Sequence, residues 1–474
     1  MQVSILSGIY ADQNPDLRTS YPRNYMPVVK KDGLSDGYLK PAEGLVAVGG
    51  AAPGIGRGGI NWNGTLYRVL GSKLCSVNAA GAITVLGDVG GSGQVSLDYG
   101  FDRLAVASGG KLFYLLNTGA FMQVTDANLG VANDVKWMAG YYITTDGTNI
   151  VVTNLTDPTT VNPLKYGSAE SDPDKVMALD TLRNELYALG RYTIQVFDNV
   201  GGDFFPFQTV QSALVPKGII GTHAYCSIGD TFVFCGSGRG EAPAIYMMQP
   251  GNTQKLSTRE IDIILAGYTE AQLTQCVMES RVASNVQLVY FHLPDRCIVY
   301  DTIASRLVGE SIWFTLDSGN LAPATYRARN FVWCYDIWSC EDPTAATVGT
   351  VSDAVGTHYG AAVGWEFGTQ MLYNSGNDAI VLEMELVALP GRVPLGADPV
   401  VWTSHSYDGE TWGQERATRA GKQGQRAQRI LWRNCGRIRG NYRMQKFRGM
   451  SDAHLPVLRL EVKAEPLSTR PGRG

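Results

Sequence analysis

The sequence lacks long apolar runs and is poor in charge. No stretch approaches the roughly 18 apolar residues that a membrane-spanning helix needs, so we expect no membrane anchor. The N-terminus, MQVSILSGIYADQN, has no basic residues before its short apolar run, which argues against a secretory signal peptide. Charged residues make up 18% of the 474 residues, below the usual value of about 25%. A chain with 44% hydrophobic residues and this little charge is not disordered.

The eight cysteines do not form metal-binding or redox motifs, because no two of them make a C-x-x-C pair. Spread singly over this length, they are typical of buried free thiols in a protein made in a reducing compartment. They are Cys75, Cys226, Cys235, Cys276, Cys297, Cys334, Cys340 and Cys435.

The chain instead has many glycines (55) and tyrosines (23), as expected for short strands joined by turns. Turns led by glycine or polar residues and followed by apolar runs recur at intervals of 38 to 53 residues. A strand-only period of about 40–50 residues is typical of β-propellers with four strands in each blade. The residues that mark the repeat are Leu74, Leu112, Ile150, Ile194, Ile245 and Ile298.

These patterns predict an all-β protein with three parts. We predict an extended arm over residues 1–35, and a β-propeller over 36–375 with inserted short helices near 258–281. For residues 376–474 we predict an antiparallel β-sandwich of jelly-roll type with a mobile tail. The period of the repeat fades at the start of the third part.

The inserted segment reads as two short helices. Ser257 with Glu260, and Thr269 with Gln272, have the spacing of capping boxes. Apolar residues recur at helical spacing, which gives a candidate helical contact surface of Ile261, Ile264 and Tyr268. The same pattern fits a cap over one end of the propeller, and both interpretations stay open.

Motifs that suggest chemistry have structural explanations. Gly54 to Gly59 match G-x-G-x-x-G, but a strand–turn–strand follows where a dinucleotide site needs a helix. Residues Gly90 to Gly93 lack the Lys-Ser/Thr of a phosphate loop. Residues 406–412 (SYDGETW) resemble an Asp-box, which is itself a structural hairpin.

Histidines and paired carboxylates give no stronger signal. The histidines, with His292 interpreted as a core or rim residue, have no metal-ligand spacing. Asp172 and Asp174 lie in a predicted turn, while Glu383 and Glu385 alternate on a predicted strand. We therefore predict no catalytic, cofactor-binding or metal-binding residue. The five histidines are His223, His292, His358, His405 and His454.

Charge is distributed unevenly along the chain. Residues 416–448 contain eleven Lys/Arg and no Asp or Glu, so the remainder carries a formal balance of −15. The alternation predicts an arginine face opposite an apolar face that contains Ile430, Trp432 and Ile438. This face could meet an acidic protein surface, nucleic-acid phosphate, or solvent and acidic residues of the same chain. The candidate interface arginines are Arg429, Arg433, Arg437, Arg439 and Arg443.

Several short stretches, in order from about residue 20 to 445, resemble the packaged-DNA stabilisation proteins of short-tailed bacteriophages, also called tail hub or tail nozzle proteins. The stretches are Gly37-Tyr38-Leu39, Tyr67-Arg68-Val69, GSKL (71–74), GDVGGSGQVS (87–96), KGIIGT (217–222), Tyr268-Thr269-Glu270, Val277-Met278-Glu279, His292-Leu293-Pro294, Val299-Tyr300-Asp301, Asp408-Gly409 and RILWRNCGRIR (429–439).

The resemblance implies a structural virion protein without catalytic residues or cofactors, made in the host bacterial cytoplasm. It implies a homo-oligomer, typically a hexamer, below the portal and its adaptor (head-to-tail connector) protein. The ring would extend the channel for genome ejection, retain packaged DNA, and pass double-stranded DNA without sequence specificity. It would also dock a tailspike or tail fibre protein and a plug or needle protein.

Two other functions remain as hypotheses. A propeller glycoside hydrolase that degrades cell-surface polysaccharide needs two carboxyl groups about 5–10 Å apart across a cleft. A DNA-binding module that uses the basic strand would bind DNA with an affinity that falls steeply with salt.

Overall fold

The computed structural model describes residues 2–6, 9–10, 19–30, 37–169, 173–201, 204–283, 286–372, 374, 377–438, 442–450 and 455–467. Within these ranges the chain is built mainly of strands, with the three short helices α1 (Arg259–Ala266), α2 (Glu270–Thr274) and α3 (Thr302–Val308). Single 3-10 turns lie at Ala127–Leu129 and Gln211–Ala213. No helix in the described ranges is long and apolar enough to cross a membrane.

Seven antiparallel sheets follow one another in the described part of the chain and form the blades of a propeller. From blade 6 through blades 7 and 1 to blade 4, the first strands of successive blades contact each other. In blade 5 the strand Tyr225–Ile228 takes this place, because it contacts the first strand of blade 6 and the Tyr225 hydroxyl donates to the Leu179 carbonyl of blade 4. The ring is therefore closed, with one innermost strand of each blade at the axis. This confirms the predicted β-propeller.

The blade strands are given in chain order. Blade 1 has Gly56–Trp62, Thr65–Leu70, Lys73–Val77 and Ile83–Asp88; blade 2 has Ser96–Tyr99, Arg103–Ser108, Lys111–Leu116 and Phe121–Gln123. Blade 3 has Asp134–Met138, Tyr141–Thr145, Asn149–Thr153 and Val161–Ser168; blade 4 has Val176–Leu182, Glu185–Gly190, Ile194–Asn199 and Phe207–Thr209. Blade 5 has Gly218–Ile219, Tyr225–Ile228, Thr231–Ser237, Ala244–Gln249 and Asn252–Lys255; blade 6 has Val277–Ala283, Val286–His292, Cys297–Asp301 and Trp313–Leu316. Blade 7 has Arg329–Cys334, Ile337–Glu341 and Val348–Ser352, and its fourth strand is Gly44–Ala47.

The residues of the sequence repeat lie on the equivalent strand of each of blades 1 to 6. Leu74, Leu112 and Ile150 lie on the third strands of blades 1, 2 and 3, and the other three repeat residues lie at equivalent positions in blades 4 to 6. These strands are buried on both faces because a neighbouring blade covers each face. Ile150 of blade 3, for example, packs in one apolar cluster with Leu179 and Leu186 of blade 4.

Blade 7 closes the ring with a strand from the other end of the propeller sequence. Gly44–Ala47 pairs antiparallel with Val348–Ser352, with Val46 opposite Thr350. The blade is therefore complete only when segments about 300 residues apart have met. This long-range pairing ties the two ends of the propeller together.

The C-terminal sandwich contains two sheets. One runs Ile430–Arg433, Ala379–Ala388, Val457–Pro466, Gly37–Pro41 and Tyr25–Val29, with Gln2–Val3 and Arg437–Ile438 at its margins; the other runs Gly364–Gly368, Met444–Met450, Val400–Ser406 and Arg416–Arg419. Their facing side chains form one apolar core, in which Phe367 stacks on Phe447 at 5.4 Å between ring centroids. A β-sandwich beside a propeller confirms the predicted fold class.

The N-terminal segment joins the two domains. The strands Tyr25–Val29 and Gly37–Pro41, from the predicted arm and the predicted start of the propeller, both lie in the sandwich sheet, and the predicted domain boundaries stay predictions. Between blade 6 and the sandwich, Arg23 donates to Asp317 and its backbone N–H bonds to the Glu366 carbonyl at 2.8 Å. A short hairpin of Ile9–Tyr10 and Thr19–Ser20 precedes this contact.

Candidate interaction surfaces and the propeller axis

The arginine strand has one exposed face and one buried face. Ile430, Trp432 and Ile438 are at most 4% exposed and face the sandwich core, whereas Arg429 and Arg433 point outward. The arginine side chains are 62% and 74% exposed. Charged groups thus cover the outer face of the sheet while apolar groups fill its inner face, as a period of two requires.

Acidic residues of the adjacent strand neutralise part of this arginine face. Arg429 Nε donates to Glu385 Oε1 at 2.7 Å, and Arg433 Nε lies 3.5 Å from Glu383 Oε2. The hydrogen bond from Arg429 lowers the pKa of Glu385. Glu383 also lies opposite Lys463 on the next strand, so the outer face carries a cross-strand network of alternating charge within the chain.

Two of the five candidate arginines do not add to the exposed face that the structure describes. Arg443 is 1% exposed and donates to the Cys435 carbonyl at 2.6 Å and to Gln445 Oε1 at 2.8 Å. Its guanidinium therefore satisfies buried acceptors and has no access to a partner. Arg439 lies outside the described residues. Arg437 is exposed beside Arg433.

The helical segment packs inward. Ile261 of α1 is fully buried against blades 5 and 6, and Ile264 and Tyr268 are half-buried against the same cluster. Tyr268 Oη donates to Asp295 in a turn of blade 6. The three residues of the candidate contact surface therefore fix the helices to the propeller, and Ile263, which is 47% exposed, is the large apolar side chain that α1 leaves to solvent.

One of the two predicted capping boxes is wrong. Thr269 accepts from the Gln272 backbone N–H and the Gln272 side chain accepts from Thr269, so this box is confirmed. The helix α1 begins after Thr258, which makes no side-chain cap. Ser257 is buried. Because it accepts from the Ile245 N–H of blade 5 and donates to Asp262, its hydroxyl is not available as a cap.

The axis of the propeller holds a small polar cavity of about 290 Å³. Its acidic and basic lining residues are Asp134, Lys136, His223 and Glu279. Burial lowers the pKa of His223 to about 4, so this imidazole is neutral at pH 7. Lys136 Nζ lies 3.2 Å from Asp180 Oδ1.

Carboxylates on the innermost strands of blades 2, 3, 4 and 6 link each of these blades to the next. In blade 2, Asp98 accepts from the Trp137 N–H of blade 3 at 2.7 Å. In blade 3, Asp134 accepts from the Leu179 N–H of blade 4 at 2.8 Å. These contacts, which we call the inter-blade latches, join a carboxylate of one blade to a hydrogen-bond donor of the next.

Two further latches continue the series. Asp180 of blade 4 accepts from the Ser227 hydroxyl of blade 5 at 3.0 Å. Glu279 of blade 6 accepts from the Asn330 and Phe331 N–H groups of blade 7 at 3.1 and 2.6 Å. The sequence analysis missed the latches, although an acidic residue recurring on the first strand of successive blades is a signal for them.

A buried ion pair links blade 7 to blade 1. Arg68 Nη1 lies 2.8 Å from Glu341 Oε1, and both side chains are fully buried. A Cβ on Gly56 would come within 2.3 Å of the Glu341 carboxylate, and one on Gly59 within 2.9 Å of Arg68 Nη1. The glycines of the G-x-G-x-x-G match thus leave room for this ion pair.

The second glycine-rich stretch, Gly90 to Gly93, binds the side chain of Arg57 from the first stretch. Arg57 donates to the Gly93 carbonyl at 2.6 Å, to the Gly90 carbonyl at 2.7 Å and to Ser108 Oγ at 2.8 Å. The loop presents carbonyl oxygens to a guanidinium, whereas a phosphate site presents N–H groups. Both glycine-rich motifs therefore help join neighbouring blades.

The remaining predicted positions make structural contacts. His292 is buried, and its Nε2 lies 2.5 Å from Glu279 Oε1. Asp174 accepts from the Tyr192 and Thr193 N–H groups, while Asp172 and His454 lie outside the described residues. All eight cysteines are free and buried, as predicted. The described residues contain no group of three or more His, Cys, Asp or Glu arranged to hold a metal ion.

The SYDGETW stretch forms a turn that its own side chains stabilise. Asp408 Oδ1 accepts from the N–H groups of Glu410 and Thr411 at 2.9 and 2.7 Å. Lys446 Nζ lies 4.5 Å from the centroid of the Trp412 ring, so the tryptophan covers a neighbouring strand. The stretch connects Val400–Ser406 to Arg416–Arg419.

Comparisons with known proteins match both domains. The family described as "Bacteriophage P22 Gp10, beta-propeller" matches residues 1–356, and the family described as "Bacteriophage P22 Gp10, beta-sandwich" matches residues 364–465. The tail hub protein Gp10 of Salmonella phage P22 is 27% identical over 459 residues, which cover 92% of this chain and 94% of that protein. These matches confirm the resemblance and the fold class.

Solved structures match more remotely. The WD40 domain of Neurospora crassa Pan2 is 8% identical, covers 65% of this chain and 95% of its own, and has a TM-score of 0.43. The N-terminal domain of Nup159 is 9% identical, covers 71% of this chain and 99% of its own, and has a TM-score of 0.41. No functional argument follows from likeness at this level.

Proposed function

Because the chain belongs to the family of the bacteriophage P22 Gp10 proteins, we propose that it is the hub of a phage tail, a structural virion protein and not an enzyme. The observation that carries this proposal is the match over both domains, in order, to the tail hub protein of phage P22. In this role the chain self-associates into a ring, as a hexamer, below the portal adaptor. The ring retains packaged DNA and docks a tailspike or fibre and a plug or needle.

The size of the axial cavity supports a DNA channel between subunits. A volume of about 290 Å³ matches the smallest ligand pockets of about 300 Å³. It cannot hold a DNA duplex, whose major groove alone is about 12 Å wide. DNA would therefore run along the axis of the ring of copies, and each propeller would serve as a rigid block in the wall of that ring.

The contacts of the axial carboxylates support a structural role over a glycoside hydrolase. A hydrolase needs one carboxyl group free to protonate a substrate and a second free to act as base or nucleophile. Asp98, Asp134 and Glu279 instead accept backbone N–H groups of the neighbouring blade. These hydrogen bonds occupy the oxygens that a substrate would need.

Electron microscopy of purified tails, together with sedimentation of the full chain, tests the proposal. We expect ring-shaped particles in virions at the position below the portal, and association of the chain when it is mixed with portal and adaptor complexes. Particles that lack the chain should lose packaged DNA. A chain that stays monomeric in the mixture and is absent from virions would contradict the proposal.

A further inference from the structure

An open groove of about 710 Å³ lies where blade 7 meets the sandwich. One wall is the segment Asp353–Thr357, which follows the third strand of blade 7, and the other is Gly391–Pro394 of the sandwich. The exposed loop 423–426 forms its rim. Its volume lies within the range of about 300–1,000 Å³ that is usual for binding sites.

The groove carries uncompensated positive charge. Arg392 and Arg426 line it, and neither forms an ion pair with a described residue. The acidic residue of the lining, Asp353, is held by Lys40 at 2.7 Å between Nζ and Oδ1. The groove is therefore cationic in a chain whose residues outside 416–448 carry a balance of −15.

The lining also contains apolar surface. Val355, Val393 and Pro394 contribute to the walls, and Leu395, beside the groove, is 89% exposed. A ligand that fits this lining combines carboxylates with apolar side chains. Arginine suits such a ligand because its planar guanidinium pairs with carboxylates through two parallel hydrogen bonds.

We propose that this groove binds an extended acidic peptide segment of a partner protein, with carboxylates at Arg392 and Arg426 and an apolar side chain against Val355 and Val393. A cleft of about 710 Å³ is too small to enclose a DNA duplex, whose major groove alone is about 12 Å wide. Single-stranded nucleic acid binds through bases stacked on aromatic rings, and the lining residues include no aromatic side chain. The proposal deepens the proposed docking role of the hub by giving the chemistry of one docking site.

The test uses the full chain and a fluorescein-labelled peptide with three repeats of Glu-Ser-Glu-Leu, followed by fluorescence anisotropy at low salt. Comparison probes are the same peptide with Lys in place of Glu, and a single-stranded oligodeoxythymidylate of equal charge. We expect the acidic peptide to bind and the two comparison probes to bind at least tenfold more weakly. Equal or preferred binding of the oligonucleotide would overturn the proposal.

Matched variants locate the binding. Arg392→Glu combined with Arg426→Glu should weaken the peptide at least tenfold, because both contacts become repulsive. Arg259→Glu combined with Arg306→Glu makes the same charge change at exposed positions of α1 and α3 and should alter binding less than twofold. Equal losses in both double variants would show attraction to net charge alone and overturn the proposal.

A third variant tests the groove without a change of charge. Ala354→Trp should fill the groove and weaken the peptide several-fold, and it keeps the proposal testable if the double variant fails to fold. Sedimentation of the chain separates this site from ring formation. If Ala354→Trp abolishes self-association and leaves peptide binding intact, the occupant is a second copy of the chain and the proposal fails. If the chain binds the peptide but never forms rings, the proposed hub function fails and the proposed peptide site stands.

Discussion

A buried site in the propeller and an exposed site in the sandwich place charged residues in opposite environments. In the propeller, Arg68 and Glu341 are fully buried, and the latch from Asp134 bonds the buried Leu179 N–H. In the sandwich, Arg429 and Arg433 lie on an outer face, with side chains 62% and 74% exposed, opposite acidic residues of the next strand. Similar pairs of residue types therefore meet water at one site and not at the other.

The difference in exposure determines how much stability each site should lose when one polar side chain is removed. A buried donor or charge that loses its partner cannot turn to water, so the full desolvation penalty remains in the folded state. An exposed pair that loses one member is rehydrated at once, and salt screens what attraction remains. Substitutions of the same chemical kind should therefore have very different effects at the two sites.

The largest effect is expected at the contact between blades 7 and 1. Glu341→Gln keeps the shape of the side chain but leaves Arg68 charged and unpaired in a fully buried site. Breaking a buried pair in this way should lower the free energy of unfolding by about 3–5 kcal/mol. Denaturant unfolding of the full chain, followed by tryptophan fluorescence, measures this loss.

A second variant separates the charge from the packing. Arg68→Leu combined with Glu341→Leu removes both charges, and the loss should be smaller than in Glu341→Gln because no unpaired charge is left buried. If the double variant is the less stable of the two, the ion pair and its hydrogen bonds would be net stabilising.

An intermediate effect is expected at the inter-blade latches. Asp134→Ala removes the acceptor of the Leu179 N–H in a site that is 2% exposed, and should cost about 1–3 kcal/mol of unfolding free energy. Burial raises the pKa of Asp134, so the neutral Asp134→Asn, which keeps an acceptor oxygen, should lose less. Thermal unfolding of both variants measures the two losses. Equal losses would mean that the charge interaction of Asp134 with Lys136, and not the hydrogen bond from the Leu179 N–H, provides the stability.

The spacing of apolar residues shows how much of the fold the sequence predicts. The repeat of Leu74, Leu112 and Ile150 predicted the propeller because every blade buries its third strand between two neighbours. The alternation around Trp432 predicted which side of its strand is buried, because strand side chains alternate between faces. Local periodicity carries this much without any knowledge of neighbours.

Contacts between distant segments were beyond such patterns. The fourth strand of blade 7 is Gly44–Ala47, about 300 residues before its partner, and no local pattern signals that pairing. Ser257 has the spacing of a capping box, but blade 5 supplies it with another partner, the Ile245 N–H. Arg443 continues the arginine pattern by spacing, yet the groups around it bury it. At Ser257 and Arg443 tertiary contacts overrode the local signal, and at Gly44–Ala47 there was no local signal to read.

A smaller effect with a clear pH dependence is expected in the exposed turn of the sandwich. Hydrogen bonds from the Thr411 N–H and the Ser406 side chain lower the pKa of Asp408 to about 2, from 3.8. A carboxyl group with a lowered pKa in the folded state stabilises the fold above its unfolded pKa, and this contribution is lost as the pH falls through the folded pKa. Asp408→Ala should therefore cost less than about 1 kcal/mol at pH 7, since the turn is exposed.

The cost of Asp408→Ala should fade between about pH 4 and pH 2, as the wild-type carboxylate becomes protonated. Differences in unfolding free energy between wild type and variant, measured at pH 7, 4 and 2, give the profile. A cost that is constant over this range would mean that the side chain acts by packing and not by its charge.

The smallest effect is expected for the pair Arg429 and Glu385 on the outer face of the sandwich. A double-mutant cycle with Arg429→Ala and Glu385→Ala should give a coupling far smaller than the effect of Glu341→Gln, because the arginine is 62% exposed. The coupling should decrease when salt is raised from 0.05 to 1 M, since the Debye length then falls to about 3 Å. A coupling as large as the effect of Glu341→Gln, and insensitive to salt, would mean that water does not reach this pair. Exposure to water would then not distinguish this pair from the pair of Arg68 and Glu341.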